Sequence, residues 1–240
     1  MNVRVRVQLG LNGPRRLINP ISLDMSSVGV ASSWAGSYHI LAMDRHFDDY
    51  VVSDRTINFK PIVGFPAAHP YERLTGKIRA AGVTGNIGEA VAALFARRYL
   101  HAKIGDIAHI RPSRRRQSPD YLMRLGGLMP AAFAGVLPGD RTFVWPDWWP
   151  VESKARDTKA RSDAARWNGL RQLLAYWVLL ANFQPQVVGY GMVVVFTYRG
   201  RREIRASVFL PRNQPRLTDE LQQKGEDVEE SMLRNCLYAC

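Results

Sequence analysis

Residues 162–183 place large apolar side chains at helical spacing, which predicts a long helix with a wide buried face. Strand-like patterns lie on both sides of this helix. An apolar run ends at Val151 before it, and residues 187–197 and 203–210 follow it. A short turn containing Arg and Gly joins the two later strands and is typical of a hairpin. A chain that alternates helices and strands in this way is predicted to fold as a single α/β domain.

Residues 84–100 predict another helix, because apolar side chains recur there every three or four residues among strong helix formers. Short apolar segments at residues 103–110 and 120–125 predict strands between the two helices. Residues 213–240 predict a charged amphipathic helix at the end of the chain. The predicted order is therefore helix, strands, helix, strands, helix.

Residues 1–83 are rich in Gly, Ser, Pro and Asn, so they are predicted to form an irregular N-terminal region. Two strands are expected within it, at residues 3–9, where apolar side chains alternate, and at residues 50–59. The chain is therefore divided into this region, a core at residues 84–212 and the C-terminal helix at residues 213–240.

The chain of 240 residues contains 33 Lys and Arg against 21 Asp and Glu, a formal net charge of +12. Most of the excess lies in residues 71–182. A basic surface attracts polyanions, so nucleic acid is the first partner to consider. The hydrophobic fraction of 46% excludes an intrinsically disordered chain.

The two longest apolar stretches, residues 125–137 and 173–183, are shorter than the roughly 20 residues that a membrane-spanning helix needs. The first residues alternate like a strand and lack the apolar block of a secretory signal. We therefore expect a cytoplasmic protein without a membrane span. Its two cysteines, Cys236 and Cys240, exclude a disulfide scaffold and lack the second pair that a zinc site of this kind would need.

An Asp, a Glu and a Lys stand where strands are predicted to begin or end. Glu152 and Lys154 follow the apolar run that ends at Val151, and residues two apart in a strand project to the same face. Asp120 begins the strand predicted at residues 120–125. Converging carboxylates bind hard cations such as Mg²⁺, which polarise a phosphate and generate hydroxide from water, and a lysine beside them can orient that water. The sequence therefore predicts a metal site at Asp120 and Glu152, with Lys154 at the attacking water.

Taken in order, these residues and those of the two helices resemble the motifs of the PD-(D/E)xK nuclease superfamily. Asp120 after a proline, followed by Glu152-Ser-Lys154, resembles the motif that names the superfamily. Glu89, at the end of Gly-Asn-Ile-Gly-Glu, looks like its acidic first-helix motif. Gln172 and Tyr176, which project together on a helix, look like the Gln-x-x-x-Tyr motif of its RecB-like branches. The resemblance covers roughly residues 84–182.

The resemblance implies a restriction-endonuclease-like core, which is a central mixed β-sheet flanked by helices. It also implies hydrolysis of DNA that depends on Mg²⁺, with Mn²⁺ as a substitute. The implied metal ligands are Glu89, Asp120 and Glu152. Lys154 would act at the water, and Gln172 and Tyr176 would support the site.

Two rival assignments exist within the same segment. Asp157-Thr-Lys159 also places an acidic residue two positions before a lysine. Asp157 lies beyond the apolar run, in a charged loop, so Glu152 is preferred. Asp147 follows a proline as Asp120 does, but it leaves no room for a separate strand before Glu152. The simpler alternatives are a surface charge for Glu89, a turn cap for Asp120, a solvated charge for Lys154 and core packing for Tyr176.

Basic residues flank both halves of the predicted site, where phosphate contacts would position a nucleic acid without reading its sequence. The residues predicted to bind it are Arg114, Arg115, Arg116, Arg156, Lys159 and Arg161. A solvated charged surface is the alternative reading of both clusters.

The first hypothesis is thus a metal-dependent deoxyribonuclease whose partner is DNA. Such an enzyme could work as a homo-oligomer or within a larger nuclease assembly. The second is a nucleic-acid-binding or assembly protein that uses a similar fold without catalysis. Convergence of Glu89, Asp120, Glu152 and Lys154 in the structure would favour the first hypothesis, and their divergence the second.

Overall fold

The β-sheet is the central feature of the computed structural model. Its strands are β1 (Asn2–Leu9), β2 (Arg15–Ser22), β3 (Leu41–Ala42), β4 (Ile107–Arg111), β5 (Tyr121–Arg124), β6 (Trp148–Arg156), β7 (Gly191–Thr197) and β8 (Glu203–Phe209). The structure describes residues 2–22, 41–42, 81–102, 107–111, 119–124, 133, 135–136, 148–181, 185, 188–198, 202–211 and 213–224.

The strands form one mixed sheet in the order β2-β1-β8-β7-β6-β5-β4-β3. β6 runs parallel to β7, β1 runs parallel to β8, and β3 runs parallel to β4. The other neighbours are antiparallel. Parallel neighbours need a long crossover, and the helix between β6 and β7 provides it.

Three helices pack against this sheet: α1 (Ala81–Tyr99), α2 (Lys159–Ala181) and α3 (Gln214–Lys224). α1 and the inward-facing valines of β1 belong to one apolar cluster, together with Val151 and Ala155 of β6. α2 and α3 belong to the other cluster, with Val193 and Val195 of β7. Because neighbouring residues of a strand project to opposite faces, α1 covers one face of the sheet and α2 covers the other.

The α/β class is confirmed, and the predicted helices at residues 84–100 and 162–183 correspond to α1 and α2 with shifted ends. α2 begins at Lys159, three residues before the predicted start. Thr158 explains this start, because its hydroxyl accepts a hydrogen bond from the Arg161 backbone N–H at 3.4 Å and caps the helix. The expected neighbouring pair of later strands is present as antiparallel β7 and β8.

The N-terminal region differs from the irregular segment expected over residues 1–83. Its first strand, predicted at residues 3–9, pairs with β8 inside the central sheet, and β2 extends the sheet beyond it. The reason is the alternation itself, since Val3, Val5 and Val7 are fully buried and need an apolar partner surface. The strand predicted at residues 50–59 and the predicted helix beyond Lys224 lie outside the described residues.

Within the described part of the chain, no helix is both long and apolar enough to cross a bilayer.

Candidate active site

The Glu-x-Lys pair lies in the middle of the sheet, on the face that α2 covers. Glu152 is fully buried, whereas the Lys154 side chain is 17% exposed. The Lys154 ammonium donates hydrogen bonds to Glu152 Oε1 and, at 2.5 Å, to Gln172 Oε1 of α2. One carboxylate, one ammonium and one amide thus form a connected polar group between strand and helix.

Asp120 joins this group from the neighbouring strand. It immediately precedes β5, whose first residue Tyr121 pairs with Val151 of β6, so Asp120 stands beside Glu152. Its Oδ2 accepts hydrogen bonds from the Ser153 backbone N–H at 2.8 Å and from the Ser153 hydroxyl at 2.5 Å. The strand register and the two hydrogen bonds that Asp120 Oδ2 accepts therefore fix Asp120 against β6.

A glycine in α2 lets the helix approach closely enough for these contacts. A Cβ atom at Gly169 would lie 2.5 Å from Val193 Cγ1 and 3.3 Å from Glu152 Cγ, inside the normal contact distance. Gln172 lies one helical turn further along α2, so the close crossing at Gly169 brings its amide within reach of Lys154.

A second glycine brings α1 against the opposite face of β6. A Cβ atom at Gly88 would lie 2.9 Å from the backbone N of Ala155 and from the carbonyl carbon of Lys154. The next residue is Glu89, which is half-buried. Its charge is close enough to raise the pKa values of both Tyr121 and Glu152. The structure therefore brings Glu89 into the electrostatic surroundings of Asp120, Glu152 and Lys154.

Burial raises the pKa of Glu152 well above its usual range, and the negative charge of Asp120 adds to this effect. The positive charge of Lys154 and its hydrogen bond act in the opposite direction but do not cancel it. Glu152 Oε2 is buried and has no hydrogen-bond partner among the described residues. A buried carboxylate oxygen without a partner is costly for the fold, and an ordered water or a bound cation can supply the missing interaction.

Two carboxylates can be enough to hold a divalent cation. Mg²⁺ keeps several waters and is held in many phosphoryl-transfer sites by one or two carboxylates plus the substrate phosphate. Asp120 and Glu152, with the open oxygen of Glu152, fit that donor set. Within the described ranges, no group of three or more His, Cys, Asp and Glu side chains is arranged to hold a metal ion. Glu89 is therefore not part of a three-residue metal site within the described residues, and its role as a metal ligand stays a prediction.

The rival Asp157 has a different surrounding. It lies after the end of β6 and pairs with Arg161 of α2, with 3.3 Å between Arg161 Nη1 and Asp157 Oδ2. Asp157 is thus engaged in an ion pair at the start of α2, just beyond the end of the strand that carries Glu152. The other rival, Asp147, lies outside the described residues.

The two helix residues of the Gln-x-x-x-Tyr motif have separate surroundings. Gln172 contacts Lys154 directly, as described above. Tyr176 is 2% exposed and belongs to the apolar cluster between α2 and the sheet. Its packing in the core matches the simpler alternative, and its support of the site stays a prediction.

The predicted nucleic-acid contacts divide into a described and an undescribed group. Arg156 ends β6, two residues after Lys154, while Lys159 and the exposed Arg161 lie in the first turn of α2. All three therefore lie near the same end of β6. The cluster of Arg114, Arg115 and Arg116 lies outside the described residues.

Ser153 and Gly169 are site residues that the sequence did not single out. Ser153 alternates with Glu152 and Lys154 along β6, so it projects to the other face. Even so, both of its donors reach Asp120. That contact depends on the pairing of β5 with β6, which no local pattern encodes. Gly169 stands out in hindsight as a glycine in the middle of a helix, where it weakens helix formation unless close packing requires it.

No protein-family model, curated protein or solved structure matches this chain.

Proposed function

We propose that this chain is a metal-dependent deoxyribonuclease with a restriction-endonuclease-like core. The observation that carries the proposal is the buried Glu152 carboxylate, which has one oxygen without a partner and lies beside Asp120 and Lys154. An open oxygen beside a second carboxylate suits a divalent cation.

The order of elements supports the same proposal. The sequence motifs occur on α1, at the start of β5, on β6 and on α2, and the sheet between the helices is mixed. The resemblance to the PD-(D/E)xK superfamily implies that arrangement of motifs on a mixed sheet flanked by helices. Chance motifs on unrelated surfaces would not be joined by hydrogen bonds, as Asp120 is to Ser153 and as Lys154 is to Glu152 and Gln172.

In the proposed reaction, Asp120 and Glu152 would hold the metal, which would supply Lewis-acid activation of water and phosphate. Lys154, fixed by Glu152 and Gln172, orients the attacking water and offsets negative charge that builds up on the phosphate. The water gives up a proton to solvent as its oxygen bonds to phosphorus, the bond to the leaving sugar oxygen breaks, and that oxygen takes up a proton from solvent. Ser153 keeps Asp120 in place throughout.

The test is cleavage of linear, circular and single-stranded DNA in Mg²⁺, in Mn²⁺ and in EDTA. We expect cleavage in either metal and none in EDTA. Lys154→Ala and Glu152→Gln should each lower the rate by about a hundredfold or more, because both act on the charge that develops in the transition state. Arg124→Ala is the matched control, since Arg124 is an exposed cation at the far end of β5. Full activity in both site variants would refute the proposal.

A non-catalytic nucleic-acid-binding protein is the second candidate. The basic residues at the end of β6 and the start of α2 favour it independently of the carboxylates. It predicts DNA binding that weakens with salt, does not change with chelators and is not followed by cleavage. If the protein does cleave DNA, comparing circular with linear substrate also distinguishes internal from terminal cutting.

A further inference from the structure

The strand pairing aligns cations in rows that cross the sheet from the candidate site to the N-terminal strand. Cross-strand partners project to the same face, so a row of paired residues shares the face of Glu152 and Lys154. One such row consists of Lys154, Val195, Arg205 and Arg6. The next row, at the end of the sheet, consists of Arg156, Thr197, Glu203 and Arg4.

The N-terminal strand supplies one side of both rows because of its alternating sequence. Val3, Val5 and Val7 face the apolar cluster on the α1 side, so Arg4 and Arg6 face the side of the candidate site. The parallel pairing of β1 with β8 places both arginines level with Lys154 and Arg156. A strand in the other register would turn the arginines into the core.

The inner cations of these rows are held within the protein. Arg205 bonds Asp163 of α2 at 2.7 Å, and its Nε lies 3.3 Å from Glu203 Oε1. Arg6 Nε also lies 3.3 Å from Glu203 Oε1. Asp163 and Glu203 thus form their ion pairs with the inner arginines Arg205 and Arg6.

The outer cations are available for a ligand. Arg4, Lys159 and Arg202 are exposed, and none of them forms an ion pair within the part of the chain that the structure describes. Arg4 and Arg202 are neighbours, because the Arg4 backbone N–H donates to the Arg202 carbonyl at 3.1 Å. They lie at the same end of the sheet as Arg156, with Arg4 three strands away from it and Arg202, which precedes β8, two strands away.

We propose that Arg4 and Arg202 are phosphate contacts, and that the backbone of a bound DNA strand crosses the ends of β6, β7, β8 and β1. Three strand spacings span about 14 Å. Measured along the axis of a duplex, at about 3.4 Å of rise per nucleotide, that distance corresponds to roughly four base-pair steps. The direction of this path from the catalytic residues rests on the proposed nuclease function, while the contacts themselves do not depend on catalysis.

The test measures binding of a labelled DNA duplex and a labelled single strand in EDTA, so that cleavage cannot interfere. The double variant Arg4→Ala/Arg202→Ala is compared with Arg15→Ala/Arg124→Ala. The control removes two exposed arginines that lie outside the row of Arg4 and Arg156. Arg15 pairs with Gln8 near the other end of β1, and Arg124 pairs with Trp148 at the other end of β6. Thermal denaturation of both variants confirms folding, which exposed positions should preserve.

We expect the Arg4/Arg202 variant to bind duplex at least about tenfold more weakly at moderate salt. The slope of log affinity against log salt should decrease by about 0.9 for each lost contact. The control should bind like the wild type. Equal affinity and equal slope in the two variants would overturn the proposal.

The same variants separate this inference from the nuclease proposal. If the wild type binds DNA through Arg4 and Arg202 but never cleaves it, the path stands and the catalytic assignment fails. If the wild type cleaves DNA and the Arg4/Arg202 variant keeps both its KM and its kcat, the path fails and the nuclease stands. A raised KM with an unchanged kcat supports both.

Discussion

Two charged side chains are buried between α2 and the sheet, and their hydrogen bonding differs. Arg166, 6% exposed, is surrounded by acceptors; Glu152, fully buried, has one oxygen with no partner in the described part of the chain. The acceptors around Arg166 are Ser207 Oγ at 3.0 Å, Gln8 Oε1 at 3.1 Å, the Leu11 carbonyl at 2.6 Å, the Gly10 carbonyl at 3.4 Å and Asp163 Oδ1 at 3.5 Å.

The comparison teaches how a buried charge whose hydrogen bonds are all made differs from one whose hydrogen bonds are incomplete. Arg166 ties α2 to β1 and to the residues after β1, so its bonds are saturated and its role ends there. Burial and the nearby Arg205 lower its pKa to about 10, which still leaves it charged at neutral pH. Glu152 is costly to bury as a charge and is left incompletely bonded, as expected of a group that binds a ligand.

The largest expected effect is a difference in the free energy of unfolding between variants at Arg166 and at Glu152. Arg166→Met removes every donor and leaves buried acceptors without partners, so the free energy of unfolding should decrease by about 2–4 kcal/mol. Glu152→Gln removes a charge whose burial is unfavourable, so it should change that free energy by less than about 1 kcal/mol, or raise it. Denaturant titrations in EDTA measure both.

If Glu152→Gln proves as destabilising as Arg166→Met, the two groups are alike, and Glu152 is a structural charge. The companion readout is cleavage. Arg166→Met should retain cleavage in proportion to the folded fraction, whereas Glu152→Gln should lose cleavage while remaining folded.

A smaller effect is expected at Ser153, which positions Asp120. Ser153→Ala removes the hydroxyl donor but keeps the backbone N–H bond, so metal affinity or rate should decrease by about tenfold. The Mg²⁺ concentration that gives half-maximal cleavage should rise, which a purely structural role would not produce. Ser153→Thr, which keeps a hydroxyl, should recover most of the loss. An unchanged Mg²⁺ requirement in Ser153→Ala would remove Ser153 from the site.

The smallest effect is a dependence of stability on pH. A carboxyl with a raised pKa in the folded state favours folding in its protonated form, so its contribution is fully present below the ordinary value of 4.5. That contribution is lost as the pH rises from there through the raised pKa of Glu152. In EDTA, the wild type should therefore lose stability over this interval relative to Glu152→Gln. Denaturation midpoints measured across the interval check this, and parallel curves for the two proteins would contradict it.

Local patterns were sufficient to predict the helices and the strands that carry the candidate site. The apolar spacing of α1 and α2 and the alternation around Glu152 and Lys154 are properties of short segments, so they could be identified without tertiary contacts. The preference for Glu152 over Asp157 followed from the apolar run before it, and the structure places Asp157 in an ion pair at the start of α2.

The features that could not be predicted depend on pairing between distant segments. Nothing in residues 3–9 indicates that β1 pairs with β8, and the contact of Ser153 with Asp120 follows from the register of β5 on β6. The row from Lys154 to Arg6 exists only once four strands are aligned. Long-range register is set by the whole core and not by the local sequence.

The pairing of β1 with β8 also determines when the protein can complete its sheet. Arg4 pairs with Glu203, which is synthesised roughly 200 residues later. At about 5–20 residues per second, the first strand waits roughly ten to forty seconds for that partner. During this interval a nascent hairpin of β1 and β2 has an unpaired edge that other chains can extend. The sheet is therefore completed only after β8 has been synthesised, and molecular chaperones that shield the nascent edge would increase the yield of folded protein.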